Sequence, residues 1–311
     1  MIAWTAIPAL LLVLVVAPLL PGIATKTKSW LTGRRGPPVL QLYFDLGKLW
    51  RKRSTYSRTT TWMFRLAPLA LLVTSVGAAC LLPLDGRSAL LGFRGDFIAF
   101  ASLLAVGRFA LVLAGLDTGS SFEGMGASRD ATFATFAEPA LFLGFVTLFL
   151  ISGNLSLTGM LGVGAGLLSA WIGGGGHAAP ALALITISLF LVLLAETSRV
   201  PVDDPATHLE LTMIHEVIVL DHSGPDLACI LYSSAVKLAV LGALVVGVLV
   251  PRTALPAPLT GLVFTGGLVL VAVAIGIVES VMARLRLSRV PQFLVAAAVL
   301  STLGALLVLV R

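Results

Sequence analysis

Eight runs of about twenty mostly apolar residues divide this chain, and they leave it few folds. A hydrocarbon core about 30 Å thick is crossed by a helix of roughly 20 residues, because every backbone N–H and C=O must find its partner within the segment. The runs fall near 2–22, 67–84, 97–115, 131–151, 178–197, 230–250, 258–281 and 291–310. Of the 311 residues 58% are hydrophobic and 12% charged, more apolar surface than a water-soluble domain can hide. The chain is expected to be all-α and integral to the membrane, a single polytopic domain over 1–311 with about eight transmembrane helices. The first run has no positive start, is too long for a signal-peptide core and lacks a small-residue cleavage site before the basic loop. It reads as a retained span.

Orientation follows from the lysines and arginines, which favour the cytoplasmic side. With the N-terminus outside, ten from Lys26 to Arg65 fall on inner loops, joined by Arg129, Arg199, Arg284, Arg286 and Arg289. Outer segments keep Arg87, Arg94, Arg252 and Arg311, and Arg108 and Lys237 lie within spans. This bias puts both termini outside and the cytoplasmic loops at about 23–66, 116–130, 198–229 and 282–290. The formal charge of +6 is then topology and lipid contact, with no nucleic-acid partner. Cys80 and Cys229 lack a CxxC context and read as small apolar fillers. His208, His215 and His222 recur every seven residues; that step rises about 10.5 Å on a helix, too far to share a metal ion. They read as a polar helix face, and no redox centre is expected in this chain.

The inner loops carry the pattern. After Pro37 and Pro38, Val39, Tyr43, Leu46 and Trp50 form a narrow stripe at helical spacing, opposite Gln41, Asp45, Lys48 and Lys52. Such a helix suits the membrane interface or a partner surface. The second loop, GLDTGSSFEGMGASRD over 115–130, has glycines that allow tight folding but no phosphate-cradle spacing. In the third, Pro201 and Pro205 end the preceding helix, and Thr207 is positioned to cap a new one reaching about Leu220, with Leu209, Met213, Val217 and Leu220 as its apolar stripe. The outer loop 152–177, with four glycines at 173–176, reads as flexible and chemically quiet.

Thirteen of the fifteen carboxylates lie on the inner side or within spans. Arg108, Glu138 and Lys237 each stand about seven residues from the inner end of a span, roughly 10 Å deep. Glu196 and Glu279 lie nearer that surface. An acid or a base at a helix centre costs roughly 2.5–3.5 kcal/mol on insertion scales, so such groups usually mark an ion or proton route. One reading is paired charges that fix helix packing. The other is a hydrated chamber open to the inner side, where Glu138, Glu196 and Glu279 exchange protons under the influence of nearby cations. With no equivalent acid or base in the outer half, charge would pass sideways to a partner membrane subunit, or the chamber would transmit a signal.

Three segments carry a family resemblance: GRRGPPVLQLYFDLGKLWRK at 33–52, GLDTGSSFEGMGASRDATFATFAEPA at 115–140 and AETSRVPVDDPATHLELTMIHE at 195–216. They resemble the subunit-1-like membrane protein shared by respiratory complex I and membrane-bound nickel–iron hydrogenases, on the hydrogenase-4 and formate hydrogenlyase branch. The resemblance implies an eight-helix subunit between a cytoplasmic redox arm and antiporter-like membrane subunits. It implies contact with cytoplasmic hydrogenase large and small subunits and a ferredoxin-like subunit, whose nickel–iron centre and iron–sulfur clusters would lie outside this chain. Glu196, Arg199 and Asp203 match the Glu-x-x-Arg-x-Pro-x-Asp motif; Arg34, Arg35 and Gly36 match the first-loop motif. Glu138 matches the intramembrane acid, and Glu123 and Arg129 the loop before it.

There are departures. Asp130 stands where the family has Glu, and Asp204 where the hydrogenase branch usually has Asn. The tight Glu cluster of the quinone-linked branch is reduced to Glu210 and Glu216, which favours a hydrogenase-type complex. On this reading Glu138, Glu196, Glu279, Lys237, Arg108, Asp130 and Glu123 form the coupling path. Arg34, Arg35, Gly36, Asp45, Arg129, Arg199, Asp203, Asp204, Glu210 and Glu216 face the redox module. The expected place is the inner cell membrane. The alternatives are the quinone-site subunit of a proton-pumping NADH dehydrogenase, tested by bound quinone, and a stand-alone transporter, which should show inverted repeats that are not visible here.

Overall fold

The computed structural model of the chain describes residues 3–84, 88–162, 178–203, 213–250 and 257–310. Their regular elements are all helices, with no β-strand among the described residues. The helices are α1 (Ile7–Val16), α2 (Leu19–Leu31), α3 (Gln41–Trp50), α4 (Trp62–Leu81), α5 (Asp96–Asp117), α6 (Ser121–Ser152), α7 (Leu157–Gly162), α8 (Ala178–Glu196), α9 (His215–Ile218), α10 (Gly224–Leu249), α11 (Ala257–Val281) and α12 (Val290–Leu309). Seven of them are long and apolar enough to span, and α1 with α2 supplies an eighth as a bent pair. The chain is a multi-pass membrane protein.

The first span departs from the straight helix over 2–22. It bends by 43° between Val16 and Leu19 and runs on to Leu31. The cause is local: Pro18 has no N–H for the carbonyl one turn before it, that of Leu14. The Tyr232 hydroxyl of α10 donates to that Leu14 carbonyl at 3.0 Å, and the Tyr43 hydroxyl of α3 donates to the Val15 carbonyl. Two tyrosines thus satisfy backbone at the break, which lipid could not do. Gly22 lets the Val39 carbonyl approach α2 where a Cβ would collide with it. The interfacial helix α3 is in this way tied to the broken span. Leu46 is buried, whereas Trp50, expected on the same stripe, stays exposed.

The loop expected over 116–130 is shorter than the sequence suggested. From Ser121 onward it is the start of α6, 32 residues and about 48 Å long. Its glycines serve close packing: a Cβ on Gly126 would strike Val217, Ile218 and the Ile214 carbonyl of the α9 segment. In the third loop, Met213 and Val217 are buried as expected, but Leu220 is exposed. Thr207, His208 and Leu209 lie outside the described residues, as do Asp85, Arg87, Arg252, Arg311 and the 173–176 glycines.

At the centre stands α10, with 72% of its most apolar window buried, against 22% for the last span. It packs on α4, α8, α11 and α3, while α12 lies against α6 and α8. Hydroxyls tie that outer layer: Ser301 Oγ lies 2.8 Å from Ser188 Oγ, and Ser188 Oγ donates to the Ala297 carbonyl at 2.7 Å. At the opposite end from the long loops, buried Asp96 accepts the Leu157 amide at 2.6 Å. Asp96 is the first residue of α5. Gly126→Val should overpack the α6–α9 contact and destabilise the protein by about 1–3 kcal/mol. Thermal unfolding of the purified protein in detergent measures this, and an unchanged midpoint would contradict it.

Candidate functional site

Four helices bring their charges to one level. Arg108 of α5 pairs with Glu196, the last residue of α8, and its other terminal nitrogen lies 3.1 Å from Glu138 Oε1 on α6. Lys237 of α10 approaches Glu196 Oε2 to 2.7 Å. The two cations also face the negative end of the α8 dipole, so the helix terminus and the carboxylate favour the same partners. Beside this cluster lies a cavity of about 230 Å³. Arg108, Asp130, Glu196, Arg199, His215 and Lys237 form its charged side, and Leu42, Leu71, Leu104, Leu111, Ile230 and Leu231 its apolar side. Both readings of the buried charges meet here. The acids are paired, as packing requires, and the cluster opens on a space large enough for water.

A second layer of charge lies toward the long loops. Asp130 Oδ1 is 3.0 Å from His215 Nε2. Asp203 accepts the amides of Ile214 and His215 at 3.1 and 3.2 Å and pairs with Arg284 at 2.9 Å, which fixes the start of α9. Arg129 donates to the Met213 carbonyl at 2.9 Å from α6. Arg199 lies 3.4 Å from Glu279, and Lys28 approaches that carboxylate to 3.9 Å from α2.

The residues expected to form one chamber therefore divide. Arg108, Glu196, Lys237 and Asp130 line the cavity. Glu138 does not: its side chain is 42% exposed, on the flank of the bundle, in a groove with Ala105, Phe109, Thr135 and Phe142, and it meets the cluster through Arg108. Glu279 belongs to the Arg199–Lys28 group. Glu123 is buried elsewhere and accepts the Asp221 amide at 2.9 Å. Among the expected contacts of a redox module, Arg34 and Arg35 are exposed on the first loop, Gly36 packs against Ser29, and Asp45 accepts from Gln41 at 3.0 Å. Glu216 reaches the cavity wall, and Asp204 and Glu210 lie outside the described residues.

Sequence reasoning missed three participants. His215 was read as one of a polar heptad series, and Lys28 and Arg284 as charges that set topology. For His215 a signal existed in its position next to Glu216 within the third motif. For the others none did, since their partners are over eighty residues away or on another helix. Among the described residues no three or more His, Cys, Asp and Glu side chains converge as metal ligands.

The same end holds a buried histidine, His222, stacked on Phe64 with ring centroids 3.9 Å apart. Around it, Tyr56 donates to Asp226 at 2.7 Å, and the Thr55 amide donates to Ser223 Oγ at 3.0 Å, so the first and third loops are joined. Burial pushes the His222 pKa down, against the smaller opposing pull of Asp226 and Asp221.

Comparison with known proteins places this architecture. The family described as NADH dehydrogenase matches residues 4–310. The chain belongs to that family. It is 30% identical over 285 residues to hydrogenase-4 component C of Escherichia coli (strain K12), covering 90% of this chain and 87% of that protein. It is likewise 30% identical over 299 residues to formate hydrogenlyase subunit 4 of the same organism, covering 91% of each. A chain in the structure of the membrane-bound sulfane sulfur reductase, an archaeal respiratory membrane complex, shares the fold, with a TM-score of 0.78, 17% identity and coverage of 97% and 98%. The chain is thus a complex I-like membrane subunit, and the resemblance stated from its motifs is borne out.

Two outcomes follow from the charges. Arg108→Met leaves the buried Glu196 with one cation and should destabilise the protein by about 3–5 kcal/mol, read from denaturation in detergent. Because burial lowers the His222 pKa in the folded state, its contribution to stability is full above the ordinary histidine value of 6.5 and falls as pH drops from there toward the depressed folded value. Replacing His222 by Phe should flatten that part of the stability–pH curve; an unaltered slope would assign it to other groups.

Proposed function

We propose that this chain is the membrane subunit of an energy-converting nickel–iron hydrogenase or formate hydrogenlyase-like complex in the inner cell membrane. It anchors a cytoplasmic redox module and couples electron transfer there to proton movement. The observation that carries the coupling role is Glu196, held between Arg108 and Lys237 on the wall of a cavity. A carboxylate between two cations stays ionised, and one that loses a cation takes up a proton more readily. Arg108 is shared between Glu196 and Glu138, so a small displacement strengthens one pair and weakens the other. Charge arriving in a docked module supplies the displacing field, since pairs at this depth are weakly screened.

The soluble hydrogenase large and small subunits and a ferredoxin-like subunit would dock where the first loop exposes Arg34 and Arg35 and where α3 and the 51–61 segment present polar faces. Their nickel–iron and iron–sulfur centres would remove the need for a metal site here. An antiporter-like membrane subunit would cover the flank where Glu138 is part-exposed beside Phe109, because a carboxylate facing hydrocarbon is costly. The similarity to hydrogenase-4 and formate hydrogenlyase subunits over nine-tenths of the chain supports this choice of complex. A second reading, the quinone-site subunit of an NADH–quinone oxidoreductase, is supported by the apolar side of the cavity, which suits the tail of an amphipathic carrier.

Purification of the intact complex separates the two, by copurified nickel in the first case and bound quinone in the second. Glu196→Gln should lower protons moved per substrate turned over by at least about tenfold, as expected for loss of a proton-transferring group. Glu138→Gln should do the same if charge leaves through the flank. Unchanged ratios in both variants would return these acids to a packing role.

A further inference from the structure

His215 is placed as no packing role requires. It is the first residue of the four-residue α9, and α9 is clamped on α6 by backbone contacts that do not use the imidazole: Asp203 holds the Ile214 and His215 amides, and Arg129 holds the Met213 carbonyl. The ring itself points between two carboxylates. Nε2 lies 3.0 Å from Asp130 Oδ1, and Nδ1 lies 4.0 Å from Asp203 Oδ2, too far for a hydrogen bond. Nδ1 and Asp130 Oδ2 are buried and have no hydrogen-bond partner among the described residues. A buried nitrogen and a buried carboxylate oxygen left open on one pair are costly unless they exchange protons or water. The ring also borders the 230 Å³ cavity, whose other charged walls are Arg108, Glu196, Arg199, Glu216 and Lys237.

We infer that His215 is the proton donor and acceptor for Asp130, with Asp203 as the positioning acid that stabilises the imidazolium formed in between. The inference rests on the proton-coupling reading above and names the group that feeds it. In the resting arrangement the neutral ring carries its hydrogen on Nε2, facing Asp130. A proton that reaches Nδ1 from the Asp203 side makes the imidazolium, which sits between two negative charges. The Nε2–H bond then breaks and its proton passes to Asp130 Oδ1, leaving a neutral ring protonated on Nδ1. Once Asp130 has passed its proton on, exchange with water gives a proton to Nε2 and takes the one on Nδ1, which restores the starting tautomer. Protonated Asp130 no longer competes with Glu196 for Arg108 and Lys237, which links the transfer to the central cluster.

Histidine fits this task because its ordinary pKa lies near neutrality and its two nitrogens can load and unload on opposite sides. Arg284 pairs with Asp203 Oδ1 at 2.9 Å, which leaves Oδ2 as the oxygen nearer the ring. A histidine present only to support α9 would need neither the opposed acids nor the cavity.

The test uses the intact complex in sealed vesicles, with protons moved per substrate turned over as the readout. His215→Gln keeps a side chain able to hydrogen-bond Asp130 but unable to carry a proton through, and the ratio should fall by at least about tenfold. His215→Ala should fall as far and be restored in part by millimolar imidazole, which a supporting role would not allow. Glu196→Gln is measured alongside. A normal ratio in His215→Gln with a collapsed one in Glu196→Gln would overturn the relay and leave the central cluster standing. Normal ratios in both would overturn the proton reading altogether. Should neither His215 variant retain the soluble subunits on purification, the residue belongs to the fold and the relay is overturned.

Discussion

Charge placed inside a membrane must be matched by charge, and in this molecule that constraint organises everything else. Arg108, Glu196 and Lys237 sit on three helices far apart in sequence, and no one of them is tolerable alone at its depth. Pairing them brings α5, α8 and α10 to one level, and Arg108 reaches on to Glu138 on α6. The pairs give little net stability, because desolvation offsets most of the attraction. Their effect is on specificity: any other register of these helices would strand a charge in hydrocarbon.

The same logic explains the polar end of the bundle. Asp203 follows α8 by seven residues and returns to hold two amides at the start of α9, with Arg284 from the opposite side. That clamp presses Val217 and Ile218 against Gly126 and sets His215 beside Asp130. On the other side of the cavity, the broken first span, α3 and α10 are joined by two tyrosine hydroxyls. The cavity between these structures is lined by both charged and apolar side chains and is large enough for water to reach the acids. Along α8 from the cluster toward its other end, Leu189, Val192 and Leu193 are buried in the bundle.

How legible this was depends on range. Spans α5, α8, α11 and α12 were readable to within two residues, because lipid imposes length and apolarity on a contiguous stretch, whereas α4 and α10 begin at Trp62 and Gly224, ahead of the expected 67 and 230. The start of α6 was not, since the glycines of 115–130 serve equally for a loop or for a tightly packed helix, and only the approach of Val217 decides between them. The bend at Pro18 had a local cause, yet its survival depends on Tyr43 and Tyr232, the latter more than two hundred residues away. The motif residues Glu196, Arg199 and Asp203 were singled out as a group, and the structure gives each different partners: the first joins Arg108 and Lys237, the second Glu279, the third Arg284 and α9.

What the chain alone determined was the solvent it lives in, the number of crossings and the presence of ionisable groups at depth, because hydropathy and side-chain charge are properties of single residues and short windows. Which acid faces which cation was decided by tertiary structure. Glu138 and Glu196 look alike in sequence, each an acid within a helical span, yet one lies on the flank and the other at the centre. That difference arises from helix rotation and packing partner, and neither is written in any local stretch of residues.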